Sequence, residues 1–277
     1  MAERNFENEF AKKHPDRAYI IRFMREALGK KEIVWSDLTT VNLLDVCDYF
    51  KSKMAANSAK TYFATLNGFI KLYADEFEVP CKRPHDVLKV KRDPSENVVL
   101  STEEIGRIEN YVPQSRIERN IKAQFLCEYY CMARTSDIQA MTMENIRDGY
   151  ITYVSKKTHT VTKVPLHKNF IKYFKERGKT YTRCSYNRTL KSICEKVGIN
   201  EQIKLMYRGH QITVPKYQLI ASHTARRSAA TELAKRNVPL TTISKLMGHS
   251  DVKMTARYII TDIGDLDDGA ISFFNGL

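Results

Sequence analysis

The 277-residue sequence predicts a mainly α-helical protein with a small β-sheet, built as two domains: an all-helical one over residues 1–95 and an α+β one over residues 96–277. Three observations lead there. Apolar residues recur at helical spacing through the first part of the chain, and one later stretch, DGYITYVSKKTHTVTKVPL, changes to the alternation of paired strands. Between them lies VKRDPSENVVLS, around residues 90–101, which is polar, contains proline and has no period, as a linker would. Charge divides at the same place, since residues 1–96 carry 17 Lys+Arg against 15 Asp+Glu and residues 97–277 carry 28 against 17.

Within the first domain, Tyr19, Ile20, Phe23, Met24 and Leu28 mark one helix, and Val41, Leu44, Val46, Cys47 and Phe50 mark a second that Thr40 can cap. A third spans Ser58 to Ala74 with Tyr62, Phe63, Leu66, Phe69, Ile70 and Tyr73 inward, and Pro80 breaks any further helix. The second domain opens at STEEIGRIENYV, where Ser101 and Glu104 have capping-box spacing. A buried helix from Arg119 to Met132 comes next, then the turn Ala133-Arg134-Thr135-Ser136-Asp137. The strand pair at Tyr150–Pro165 carries Lys156 and Lys157 at its tip. Residues 168–200 read as helices separated by Gly178 and Gly198, and QITVPKYQLIASH as an irregular run with one short strand.

The stretch HTARRSAATELAKRNVPLTTISKLMGHSDVKMTARY concentrates the chemistry. His223 and Arg226 stand three apart on one helix face that continues inward through Ala229, Ala230 and Leu233. Asn237 and Pro239 end that helix, a short one runs from Leu240 to Met247, Gly248 closes it, and His249 sits at the turn. Ser250 is placed to cap the next helix, which leads to Tyr258. Arginine offers a forked cation for phosphate, histidine exchanges protons near neutral pH, and a tyrosine oxygen can form a covalent intermediate. Those groups suit phosphoryl transfer.

Composition narrows the class further. The opening MAERNFENEF is polar, and no apolar run approaches a membrane span, so an intracellular protein without membrane attachment is expected. Six cysteines lack metal-ligand spacing and read as reduced core thiols, and no metal site is expected. From Lys156 to Lys196 there are 12 basic residues and two acidic ones, Glu176 and Glu195, a density that fits a polyanion. His14, His85, His159, His167 and His210 have no partner pattern.

The sequence H-x-x-R, then G-H, then R-Y resembles the second conserved box of the tyrosine recombinases, also called the phage integrase family. The resemblance extends to Arg134 with T-S-D-I-Q-A-M after it, to K-T at the hairpin tip, and to the first-domain pattern WSDLT…SAKTYFATLNGFIKLY. It departs at Cys131-Met132-Ala133, where the family usually has a glycine. The resemblance implies a complete catalytic set: Arg134, Lys157, His223, Arg226, His249 and Tyr258, with Lys156 as competitor for Lys157 and Asp137 supporting the arginines.

The implied activity is site-specific DNA recombination or integration through a 3′-phosphotyrosyl link, with neither cofactor nor metal. The implied partners are double-stranded DNA, a homotetramer on synapsed sites and accessory DNA-bending proteins; the implied location is the cytoplasm, on the nucleoid. Lys51, Lys53 and Lys60 are candidate phosphate contacts in a core-binding domain. The start at Met1, with no arm-binding domain before it, fits a simple recombinase or a short integrase of a mobile element. Apolar Ile271, Phe273, Phe274 and Leu277 in the tail fit docking into a neighbouring protomer. A type IB topoisomerase shares the chemistry, and a catalytically silent DNA-binding protein shares the basic surface; the intact set of six favours the recombinase.

Overall fold

The first helix, Phe6–Lys13 (α1), begins where Asn5 accepts a hydrogen bond from the Glu7 amide, and it buries Phe6 and Phe10. The structure is a computed structural model and describes residues 5–91, 98–178, 180–207, 210–256 and 258–259. Its contacts group into two units, Met1–Ser95 with Leu205–Ile212, and Glu96–Lys204 with Thr213–Leu277. The apolar tail after residue 259 lies outside the described residues, as do residues 92–97 of the expected linker.

In the first unit α1 is followed by α2 (Tyr19–Leu28), α3 (Thr40–Lys53), α4 (Ala56–Leu72) and the single turn α5 (Pro84–Val87). The core is aromatic: Trp35 stacks on Phe77 at 4.5 Å and meets Phe6 edge-on at 5.0 Å. Helix α2 ends on Gly29, whose φ of 62° is left-handed, as a closing glycine should be. Two expectations change for α3. Thr39, not Thr40, caps it, and Val41 and Leu44 face solvent while Leu43, Val46, Cys47 and Phe50 are buried. Both apolar sets fit a helical period; the packing of α2 and α5 on α3 decides which one is covered.

The second unit starts sooner than its linker-like composition suggests, because Val98 and Leu100 are already core residues and the Leu100 amide donates to Ser228 Oγ at 2.8 Å. The Ser101–Glu104 capping box opens α6 (Thr102–Asn110) as expected. Helix α7 (Arg116–Cys131) starts three residues before the expected Arg119 because Ser115 caps it. It packs against α9 (Phe170–Glu176), α10 (Arg183–Lys196) and α11 (Ser222–Lys235), which explains why it is buried along most of its length.

Between α7 and α9 come α8 (Thr135–Ala140) and an antiparallel sheet of β1 (Ile146–Arg147), β2 (Tyr150–Val154) and β3 (Val161–Pro165). In its register Ile151 faces Val164 and Val154 faces Val161, and alternate residues are buried. The run after residue 201 is a second two-stranded sheet, β4 (Gln202–Tyr207) and β5 (His210–Pro215), where the sequence pointed to a mostly irregular segment. Its residues are half-buried or exposed, so no clean apolar alternation betrays it. Helices α12 (Leu240–Leu246) and α13 (Val252–Ala256) come after α11. Five of the six cysteines are buried, but Cys184 is exposed and is no core thiol.

Candidate active site

The path to Arg134 begins with a strained residue. Met132 takes φ 54°, ψ 19°, the left-handed conformation that glycine adopts at less cost, and its side chain is buried against Ala229, Ala230, Ile243 and Met247. The chain thereby turns sharply out of α7 and places Arg134 as the first residue before α8, its carbonyl accepting from the Asp137 amide at 2.8 Å. Arg134 Nη1 donates to Ser155 Oγ at 2.9 Å and lies 3.9 Å from the Asp137 carboxylate. Asp137 is also buried and accepts from the Lys156 amide at 2.9 Å. One carboxylate therefore fixes both the arginine and the root of the hairpin tip.

That tip, Ser155 to Thr160, is closed by the Ser155 amide on the Thr160 carbonyl at 3.0 Å. Lys157 lines a cavity of about 420 Å³ together with Arg134, His223 and Tyr258. Lys156, the competitor, supplies its backbone to Asp137 and is absent from the lining.

Helix α11 presents His223 to the cavity, while Arg226, one turn deeper, is 1% exposed. The three-residue spacing does put both on one side, but at different depths. Arg226 donates to the carbonyls of Met132 and Met247 and lies 3.0 Å from His249 Nε2, so neither it nor His249 reaches the cavity lining. Because arginine only donates, Nε2 must accept, and Nδ1 carries the hydrogen toward Thr255 Oγ1 at 2.9 Å. Burial, with Arg226 and Arg134 adding repulsion, lowers the His249 pKa to about 4, in keeping with that neutral tautomer. His223 is shifted in the same direction by loss of hydration first and then by Arg226, Arg227, Arg183 and Arg134, although part of its side chain meets solvent.

Gly248 ends α12 with φ 58°, and its amide bonds to the Lys245 carbonyl at 3.0 Å. A Cβ there would overlap Thr162 Oγ1, so glycine is also what lets this turn approach β3. The cap of α13 is Asp251, whose carboxylate accepts from the Lys253 amide at 2.8 Å, rather than Ser250; the helix begins one residue later than expected. Tyr258 comes next, its amide bonded to the Thr255 carbonyl at 2.8 Å and its ring centroid 5.2 Å from that of His249.

Sequence reasoning missed Ser155, which carries Arg134, and Thr255, which fixes the His249 tautomer; neither stands in a charge or motif pattern. It also passed over Arg183, another cation on the cavity wall, which was submerged in the basic run. Among the described residues, no group of three or more His, Cys, Asp or Glu side chains is placed to hold a metal ion.

The helical unit followed by this α+β unit is the fold of the tyrosine recombinases. The chain is similar to a lambda integrase fragment solved as a dimer on a COC′ core site, at 16% identity and TM-score 0.70, over 95% of each chain. It is similar to a Tn1549 transposon integrase fragment in complex with circular intermediate DNA, at 13% identity and TM-score 0.66, over 99% of this chain and 100% of that one. A lambda integrase tetramer bound to a Holliday junction matches at 16% identity and TM-score 0.63, over 94% of this chain and 74% of that one. No curated protein sequence matches. Residues 98–262 match the phage integrase family, and the protein belongs to it: it is a tyrosine recombinase.

Proposed function

We propose that this recombinase cuts and rejoins double-stranded DNA at specific sites with Tyr258 as its nucleophile, acting in cis. The observation that carries this reading is that Tyr258 lines the same cavity as Arg134, Lys157 and His223 of its own chain. The Tyr258 oxygen attacks the phosphorus, a bond to the tyrosine forms, and the bond to the 5′-oxygen breaks. The phenol proton passes to a base, for which His223 is the better placed histidine because it faces the cavity and its lowered pKa keeps it neutral at pH 7. Lys157 gives a proton to the departing 5′-oxygen. A 5′-hydroxyl from a partner strand reverses both transfers.

Arg134 contacts the phosphate oxygens directly from the cavity wall. Arg226 stands one layer behind, held by the carbonyls of Met132 and Met247 and by His249, with its Nε left without a partner among the described residues. Donors fixed in advance by Asp137, Ser155 and His249 need little reorganisation as charge develops on the phosphate.

Residues 1–95 serve as the core-binding domain, with exposed Lys51, Lys53 and Lys60 toward the DNA backbone, and residues 96–277 as the catalytic domain. The lambda and Tn1549 structures, solved on DNA, support a DNA substrate, and the lambda tetramer supports assembly on paired sites. Accessory DNA-bending proteins belong to the same reading. No helix among the described residues is long and apolar enough to cross a membrane, and a DNA substrate places the work in the cytoplasm, on the nucleoid.

The test is a nicked cognate site that traps the covalent intermediate, resolved on a denaturing gel. Wild type gives a shifted band and Tyr258→Phe gives none; a band that persists in the phenylalanine variant rejects the assignment. Lys157→Ala should recover cleavage on a substrate with a 5′-thiolate leaving group, and equal losses on both substrates count against its role as acid.

A further inference from the structure

Arg227, the neighbour of Arg226, is half-buried, yet no carboxylate among the described residues lies within ion-pair distance of it. Among the described residues, its Nη1 makes one long contact, 3.5 Å to the Val98 carbonyl, and its buried Nε has no partner. A cation held that way is costly unless something nearby uses its charge. What lies nearby is the nucleophile: the guanidinium carbon stands 5.8 Å from the centroid of the Tyr258 ring. One turn further along α11, Thr231 Oγ1 donates to the Tyr258 carbonyl at 3.3 Å. The ring of His249 is also within 5.2 Å of the Tyr258 ring. Burial lowers the Arg227 pKa, and Tyr258 is the group that opposes the shift.

We infer that Arg227 is a positioning residue for Tyr258: with Thr231 it docks the tyrosine into the cavity of its own chain, and its charge lies beside the ring as negative charge develops on the tyrosine during attack. Arg227 does not line the cavity and so acts through the tyrosine, not on the phosphate. A cation beside an aromatic ring and its developing oxyanion favours the charged form. Helix α11 thus carries two adjacent arginines with separate tasks, Arg226 toward the phosphate and Arg227 toward the group that attacks it. The inference rests on Tyr258 being the nucleophile.

The experiment measures single-turnover cleavage of the nicked site by Arg227→Met, Arg227→Gln and Arg227→Lys, each with tyrosine or the more acidic difluorotyrosine at position 258. With tyrosine the two neutral variants should be slower by about tenfold, a cation–ring interaction converted to rate. With difluorotyrosine the gap should close to about twofold, because a nucleophile that bears negative charge more readily gains less from the cation as charge develops in the attack. Arg227→Lys should recover cleavage to within about threefold of wild type. An equal loss with both nucleophiles, no loss, or failure of both neutral variants to fold would make Arg227 a structural tether to Val98 and overturn the inference. An adduct formed by Tyr258→Phe would instead overturn the nucleophile assignment beneath it.

Discussion

The two units differ in the buried charges they leave without a counter-charge, although the second also pairs carboxylates, Glu104 with Lys216 at 2.8 Å and Glu118 with Lys196 at 2.7 Å. In the first, each buried carboxylate meets a cation and a backbone donor: Glu7 accepts from Arg25 Nε at 2.7 Å and from the Ile33 amide at 2.8 Å, and Asp37 accepts from Lys30 and from the Val34 amide at 3.0 Å. In the second, Arg226 rests on two carbonyls and a neutral imidazole, and Arg227 has no carboxylate among the described residues. Buried Glu128 there accepts from Gln124 at 3.1 Å and from the Tyr186 hydroxyl at 3.3 Å, with no cation as partner among the described residues. Desolvation raises its pKa to about 8. Away from the candidate site both units neutralise buried carboxylates with cations, Glu128 excepted. The site keeps cations among neutral dipoles, so that an anion completes the set.

The largest consequence concerns Arg226. Arg226→Met should lower cleavage by about 10²- to 10³-fold, the usual loss when a fixed donor is removed from a charge-developing site. Its thermal midpoint should stay within about 3 °C of wild type, because loss of a buried cation without a counter-charge offsets the two orphaned carbonyls. Calorimetry beside the cleavage assay decides it; a far larger drop in midpoint would put Arg226 with the neutralised charges of the first unit.

Next come the two titratable groups with opposite signs. Glu128 has a folded pKa raised from the ordinary carboxyl value to about 8, so the folded state holds the extra proton and stability falls as pH rises between those limits. His249 has a folded pKa lowered to about 4, so the unfolded state holds the extra proton and stability rises as pH climbs from there to about 6.5. The two slopes oppose each other in mildly acid solution. Urea titrations should show Glu128→Gln tilted one way and His249→Gln the other, by roughly 5 and roughly 3 kcal/mol respectively over the affected range. Parallel curves for the two variants would refute the assignment.

A smaller effect, about 2 kcal/mol, is expected for Gly248→Ala, from its left-handed backbone and the overlap with Thr162; cleavage should fall too, because His249 is the next residue. Gly106→Ala is the control, since nothing lies within 4 Å of its Cβ position inside α6. Smallest is Glu7→Ala, which should cost about 1–2 kcal/mol by orphaning the Ile33 amide and leave the cleavage rate of a bound site unchanged. An altered cleavage rate would break the contrast between the units.

Local signals in the chain were sufficient for much of this protein. The capping box at Ser101, the alternation of Tyr150–Val154, the glycine after α12 and the H-x-x-R, G-H and R-Y spacings each depend on residues a few positions apart, and each predicts its own geometry. The family match over residues 98–262 agrees with the resemblance those spacings carried. Depth is another matter. Periodicity gives the direction of a side chain around a helix axis but not what lies beyond it, so His223 and Arg226 read as equals until Met132 and Met247 closed over the second. For the same reason Val41 and Leu44 read as core, and β4 and β5, which among the described residues pair with each other alone, gave no burial pattern to read. The sequence by itself determined most of the helices, the Ser101 cap and the candidate residues that carry the motifs, because these are short-range. Only the tertiary structure decided which cations stay unpaired and which histidine faces the cavity, because burial and the electric field at a side chain are set by residues far away in the chain.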